Sequence, residues 1–218
     1  NTAIGRQAGQ DLTSGAYNVL LGYQSGANAT TTINTITIGK EAGEGITTGQ
    51  NAIAIGALAM GTGVMTGSDN TAIGRHSGQD LTSGIQNTFL GYDAGMNATT
   101  TSQSVIIGAD AGVGVLTGSS AVLIGKSAGA AITSAENAIA IGNTAMGTGT
   151  VTGTDNTAIG QQAGNDLTSG TYNFFAGYRT GYEATTPDYT VAIGYSAIGT
   201  GVMTGNDNIA LGRLAGND

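Results

Sequence analysis

Asn70-Thr71-Ala72-Ile73-Gly74, followed six residues later by Asp80-Leu81-Thr82-Ser83-Gly84, decides how this chain is read. The same pair of phrases stands at Asn1 with Asp11 to Gly15 and at Asn156 with Asp166 to Gly170, and a further copy begins at Asn208. Between these copies run looser versions, each marked by a glycine after an apolar residue: Gly5, Gly22, Gly39, Gly56, Gly74 and onward to Gly212. The steps between successive marker glycines are 17 residues nine times and 18 residues three times, and they cover the whole chain. A strict short period over a full chain is the mark of a stacked repeat protein. The longer phrase divides it into blocks 1–69, 70–155 and 156–207, of four, five and three rungs, with a partial rung at 208–218. A stack can gain or lose a rung because each unit touches only its neighbours. We therefore expect a single repeat array, cut from a longer chain.

Columns of the repeat show what it buries. The residues just before the marker glycines, among them Ile4, Leu21, Ile38, Ile55, Ile73 and Leu90, read as a core ladder. Two positions earlier stand Thr2, Val19, Ile36, Ile53 and their equivalents, β-branched residues plus Phe174 on the same strand face. Three residues after each marker every side chain is small, from Ala8 and Ser25 to Thr180, which calls for a close-passing backbone. A second apolar column, ten residues before the next marker, runs Leu12, Ala29, Ile46, Val64, Leu81, Ala98, Val115, Ile132, Thr150, Leu167, Ala184 and Val202. Each rung is expected to supply two short strands joined by glycine-rich turns. The fold class is thus all-β, a parallel β-solenoid or β-roll with rungs of 17–18 residues. At ~4.8 Å per rung it would form a rod of roughly 60 Å.

Between the two columns assigned to the core lies a third: Ala3, Leu20, Thr37, Ala54, Ala72, Phe89, Ile106, Leu123, Ala140, Ala158, Phe175, Ala192 and Ala210. Alternation points it to the other face of the strand, yet it is almost wholly apolar. A strand that is apolar on both faces is buried on both. The expectation is a homo-oligomer whose subunit interface is made by Leu20, Phe89, Ile106, Leu123 and Phe175. The alternative is a wider single-chain coil that covers both faces itself.

These phrases carry a family likeness. Asn-Thr-Ala-Ile-Gly, with the variants Asn51-Ala-Ile-Ala-Ile-Gly56 and Asn137-Ala-Ile-Ala-Ile-Gly142, resembles the repeat of the trimeric autotransporter adhesin head, the YadA-like left-handed β-roll. With a Thr-Ser-Gly or Thr-Thr-Gly turn between copies it also looks like the repeats of bacteriophage tail-fibre and tail-spike proteins. The rung here is longer than the adhesin repeat. Both resemblances imply a left-handed homotrimer of parallel β-rolls, extracellular, on a virion or bacterial cell surface. The function they imply is a structural or adhesive fibre shaft or head that displays or forms a host-recognition surface.

Chemistry-bearing residues are sparse. His76 is the single histidine; Ser77 and Asp80 lie nearby, but the equivalent positions in other blocks are Gln7 and Gln162, which reads as a surface substitution. Asp11, Asp80, Asp166 and Asp218 share one turn position and Asp69, Asp155 and Asp207 another. One carboxylate per turn is short of the six or more oxygens a Ca²⁺ ion takes, and Asp in turns bonds its own backbone. No catalytic, metal or cofactor residue is assigned, and no enzyme activity is expected. Ser or Thr stands eight residues before every marker, as in Ser14, Thr31, Thr48 and Thr66, usually with Thr before it. This pattern reads as a hydroxyl ladder at a turn, with a monomeric ice- or surface-binding solenoid as the alternative function. Tyr23, Tyr92, Tyr178 and Tyr195 follow marker glycines and are candidate contacts for a surface glycan or protein receptor.

Composition closes off other classes. A net charge of −8 from only 6 basic and 14 acidic residues argues against a nucleic-acid partner, which requires clustered Lys and Arg. The chain has no cysteine, so disulfides and thiolate metal sites are both excluded. No apolar run reaches the ~18 residues of a membrane span, and no membrane insertion is expected.

Overall fold

The structure is a computed structural model that describes residues 1–201 and 203–217. Val202 of the second apolar column and Asp218 of the turn column lie outside the described residues. The chain divides into two compact units, Asn1–Ala109 and Asp110–Asp218. The first holds β1 (Thr2–Ile4), β2 (Val19–Leu21), β3 (Ile36–Ile38), β4 (Ile53–Ile55), β5 (Thr71–Ile73), β6 (Thr88–Leu90) and β7 (Val105–Ile107). The second holds β8 (Val122–Ile124), β9 (Ile139–Ile141), β10 (Thr157–Ile159), β11 (Phe174–Ala176), β12 (Val191–Ile193) and β13 (Ile209–Leu211).

Within each unit every strand pairs in parallel with the strand one rung on, residue for residue: Thr2 with Val19, Ala3 with Leu20, Ile4 with Leu21, and likewise Thr157 with Phe174 and Ala158 with Phe175. Columns of the sequence are therefore columns in space, and the chain is an all-β parallel solenoid, as its period requires.

The two faces of the strand are the reverse of the sequence reading. The middle column is the core: Leu20, Ala54, Ala72, Phe89, Ile106, Leu123, Ala140 and Phe175 are all 0% exposed within the single chain. The columns assigned to the core look outward instead, with Ile38, Ile73, Leu90, Ile159 and Ile193 all classed as exposed. The residues Leu20, Phe89, Ile106, Leu123 and Phe175 are sealed inside their own coil, so they offer no surface to a second chain. The small column after the marker glycine is buried as expected, at Ser25, Ala42, Ala59, Ser77, Ala94 and Ala163 among others.

Large core residues take their space from glycines and alanines of adjoining rungs. A Cβ on Gly78 would lie 2.6 Å from the Phe89 ring, and one on Gly95 2.8 Å from its other side. Ala72, paired with Phe89 across the ladder, leaves further room. The position of Gly78 is taken by Met60, Met146 and Ile198 in the rungs whose strand centre is only Ala54, Ala140 or Ala192, and all three are buried. Core volume is thus conserved across neighbouring rungs, as close packing demands.

Among the described residues the second side of each rung forms no strand. That side is held by single backbone bonds between rungs, such as Thr13 N–H to the Thr30 carbonyl and Thr82 N–H to the Thr99 carbonyl, with bridges at Ile46–Met65 and Ile132–Val151. Residues such as Gln24, Asn34, Glu41 and Asn51 adopt left-handed φ between 51° and 56°, turning the chain on either side of each three-residue strand. The second apolar column also changes frame. Ile46, Leu81, Ile132 and Leu167 are buried, but Val64 and Val115 are exposed and Met65, Leu116 and Val151 fill the interior instead. The shift occurs in the 18-residue rungs at Met65 and Val151 and also at Leu116 in a 17-residue rung.

Candidate functional site

The outward strand positions assemble one continuous feature in each unit. In the first, Val19, Leu21, Ile36, Ile38, Ile53, Ile55, Ile73, Leu90, Val105 and Ile107 line the outer face of β2 to β7, half-buried or exposed. In the second, Val122, Ile124, Ile139, Ile141, Ile159, Phe174, Val191 and Ile193 do the same on β8 to β12. Thr71, Thr88 and Thr157 interrupt them, and no charged residue does. Parallel sheets are normally covered on both faces, and a contiguous exposed apolar surface of this kind is uncommon on a single chain.

A buried asparagine ladder fixes the chain where it enters the strands. Asn87 donates from Nδ2 to the Asn70 Oδ1 (3.0 Å) and to the Thr101 carbonyl (2.7 Å). Its own Oδ1 accepts from the Ser104 N–H at 3.1 Å. Asn173 repeats this with Asn156, Pro187 and Thr190. The sequence reading gave these asparagines no role in the interior; their place four residues before the marker was the available signal. Asn87→Ala is expected to destabilise the chain by about 1–3 kcal/mol for each buried group left unpaired. Urea unfolding checks this, and a loss within error of zero would show that the ladder carries no stability.

The candidate tyrosines lie beside the apolar face. Tyr23 and Tyr92 sit under the guanidinium groups of Arg6 (5.7 Å) and Arg75 (5.6 Å). Tyr178 and Tyr195 stack with centroids 5.1 Å apart, and Arg213 lies 5.9 Å over Tyr195. Stacking covers part of each ring, while all four tyrosines remain exposed.

His76 is more engaged than a surface substitution. Its Nδ1 lies 2.9 Å from Asp93 Oδ1 in the next rung, and the Arg75 Nε donates to its Nε2 at 3.3 Å. Neither residue flagged beside it joins in: the Ser77 hydroxyl donates to the Phe89 carbonyl, and Asp80 accepts from the Thr62 hydroxyl. Asp166 accepts likewise from Thr148, whereas Asp69 and Asp155 accept from Asn51 and Asn137, each at 2.9 Å. Among the described residues no three His, Cys, Asp or Glu side chains converge in a metal-sized group. Burial, and behind it the neighbouring Glu41 carboxylate, pushes the Glu44 carboxyl above its usual value.

Hydroxyls divide as alternation requires. Those of Thr13, Thr30, Thr82 and Thr168 donate to carbonyls of the next rung at 2.9–3.0 Å, forming a ladder at the turn. The following column, including Ser14, Thr31, Thr48, Thr66 and Ser83, is exposed. No helix among the described residues is long and apolar enough to cross a membrane.

No family model matches this chain, and neither a curated protein nor a solved structure matches it.

Proposed function

We propose that this chain is a non-catalytic fibre shaft or head on a virion or bacterial cell surface, built as a homotrimer of parallel solenoids. It would display or form a host-recognition surface, as the resemblance to tail-fibre and adhesin-head repeats implies. The observation that carries this reading is the open apolar face of the three-residue strands. Exposed in water it would be an aggregation hazard. A surface that repeats every rung, at ~4.8 Å, is best matched along its length by another with the same repeat, and a second copy of this chain has it. The interface therefore moves from the middle column to Ile38, Ile73, Leu90, Ile107 and their equivalents.

Light scattering on the 218-residue chain tests this. The expected mass is three chains. Ile38→Lys with Ile107→Lys, both on the outer face, should reduce it to one chain while leaving the far-ultraviolet dichroism unchanged. A single-chain mass for the unaltered protein overturns the fibre reading. Ice shaping by that single chain would then favour a surface-binding solenoid acting through the exposed Ser14, Thr31 and Thr48 column.

A further inference from the structure

The turn that enters each strand, five residues before the marker glycine, is left-handed: φ is 56° at Asn34, 52° at Asn51, 62° at Asp69 and 59° at Asp155. Asn and Asp suit this region, because their short polar side chains bond locally. Tyr172 (58°) and Tyr189 (54°) take the same conformation in two successive rungs. A bulky ring gains nothing from such a turn, so turn chemistry does not account for the pair.

The two tyrosines share one backbone conformation, and Phe174 pairs with Val191 two residues on. Their side chains therefore leave the stack in the same direction. The rings lie with centroids 5.1 Å apart and planes within 6° of parallel, and the residues are 51% and 57% exposed. Tyr178 and Tyr195, which follow the same two strands, make a second stack at 5.1 Å, tilted by 22°. The stacks differ in the charge around them. Arg213 lies 5.9 Å from the Tyr195 ring, and a cation there opposes the loss of an electron from the ring. Among the described residues no arginine lies over Tyr172 or Tyr189. The same turn in the rungs before and after them holds Asp155 and Asp207. The rings at 172 and 189 are thus the pair that gives up electrons more readily.

We infer that Tyr172 and Tyr189 are an oxidative cross-linking site, joined as dityrosine by a one-electron oxidant such as a haem peroxidase with hydrogen peroxide. Each phenol gives up one electron and its hydroxyl proton, and the peroxide that takes them is reduced to two waters. The two phenoxyl radicals couple through ring carbons ortho to oxygen. Each of those carbons then passes its hydrogen to the oxygen of its own ring, which restores both phenols. One C–C bond has formed and two hydrogens have left. Stacking supplies what the coupling needs, a second radical held beside the first. Exposed side chains reorient quickly, which lets the ortho carbons meet. The chain has no cysteine, so a link of this kind takes the place of a disulfide between rungs. It closes a step of 17 residues and stabilises the fold by restricting the unfolded chain. The inference is independent of how copies of the chain assemble.

Limited oxidation of the folded 218-residue protein by a haem peroxidase with hydrogen peroxide tests this. Dityrosine fluorescence and mass spectrometry of peptides read the result. The expected product keeps the mass of one chain on denaturing electrophoresis, and its dominant cross-linked peptide joins Tyr172 to Tyr189. Tyr172→Phe or Tyr189→Phe keeps a ring in the stack but removes the phenol, and each should remove most of the fluorescence. Tyr178→Phe with Tyr195→Phe should leave the 172–189 peptide in place. Oxidation in urea, where the stack is lost, should scatter the linkage over other tyrosines. The cross-linked protein should also unfold at a higher urea concentration than Tyr172→Phe treated in the same way. Linkage carried mainly by other tyrosines, a product of two-chain mass, or no linkage at all overturns the site. A linked chain with an unchanged urea midpoint overturns its role as a tie between rungs.

Discussion

Phe89→Ala is expected to lower stability by about 3–5 kcal/mol, the range for emptying an aromatic site in a packed interior. The ring is 0% exposed and is covered above and below by glycine backbone at Gly78 and Gly95. Neither glycine has a side chain to move into the gap, and Ala72 and Ile106 on the flanking strands are held by residue-for-residue pairing. The cavity should therefore persist rather than collapse, which places the cost high in the range. A stack transmits stability only between neighbours, so a gap at Phe89 weakens the coupling of the rungs on both sides. Urea unfolding at fixed protein concentration measures the loss. Phe89→Leu provides the comparison: the column already holds leucine at Leu20 and Leu123, so that variant should lose much less. If Phe89→Ala cost no more than about 1.5 kcal/mol, the level of a volume-conserving exchange, the residue would not be a rung-spanning plug.

The rung length and the parallel stack were legible from the spacing of the marker glycines alone, because a period of 17–18 residues admits few architectures. Which strand face is interior was not legible from hydrophobicity. Alternation separates two faces without naming the inner one, and here the outer face, with Ile38, Ile55 and Ile73, is the more uniformly aliphatic. The distinguishing signal was variation in size. Phe89 beside Ala72, and Phe175 beside Ala158 and Ala192, are alternations of volume that only a closed interior needs. An exposed stripe has no such requirement, and apart from Phe174 and Ala176 its residues vary less in size. Misassigning the face also gave Leu20 and Phe175 to a partner chain when their own coil uses them. The missing second strand was not legible either: apolar residues at Ile46 and Ile132 signal burial without signalling pairing, and that side is joined only by single backbone bonds and isolated bridges. The same limit hid the His76–Asp93 contact, which joins residues one rung apart.

Gly91→Ala should be among the most damaging single substitutions, for a reason independent of core volume. Gly91 has a φ of 142°, which L side chains rarely adopt, and holding a residue in such a region costs about 1–3 kcal/mol. A methyl group there would also lie 2.6 Å from the Gly108 carbonyl oxygen and 2.8 Å from its carbon. Both are backbone atoms of the next rung. That rung cannot retreat, because the Gly108 N–H donates to the Leu90 carbonyl at 2.9 Å and β6 pairs with β7 throughout. Relief requires either opening that ladder or rotating Gly91 out of its turn, so a loss of at least about 3 kcal/mol, the upper end of the strain alone, is expected. Gly205→Ala is the control: its nearest obstacle is Asn208 Nδ2 at 3.9 Å, and a surface change of that kind stays within about 0.5 kcal/mol. A large gap between the two variants in urea unfolding identifies the marker glycines as the points where successive backbones touch. Equal and small losses would mean that rungs separate freely at Gly91, and the marker column would then not be what sets the spacing of the stack.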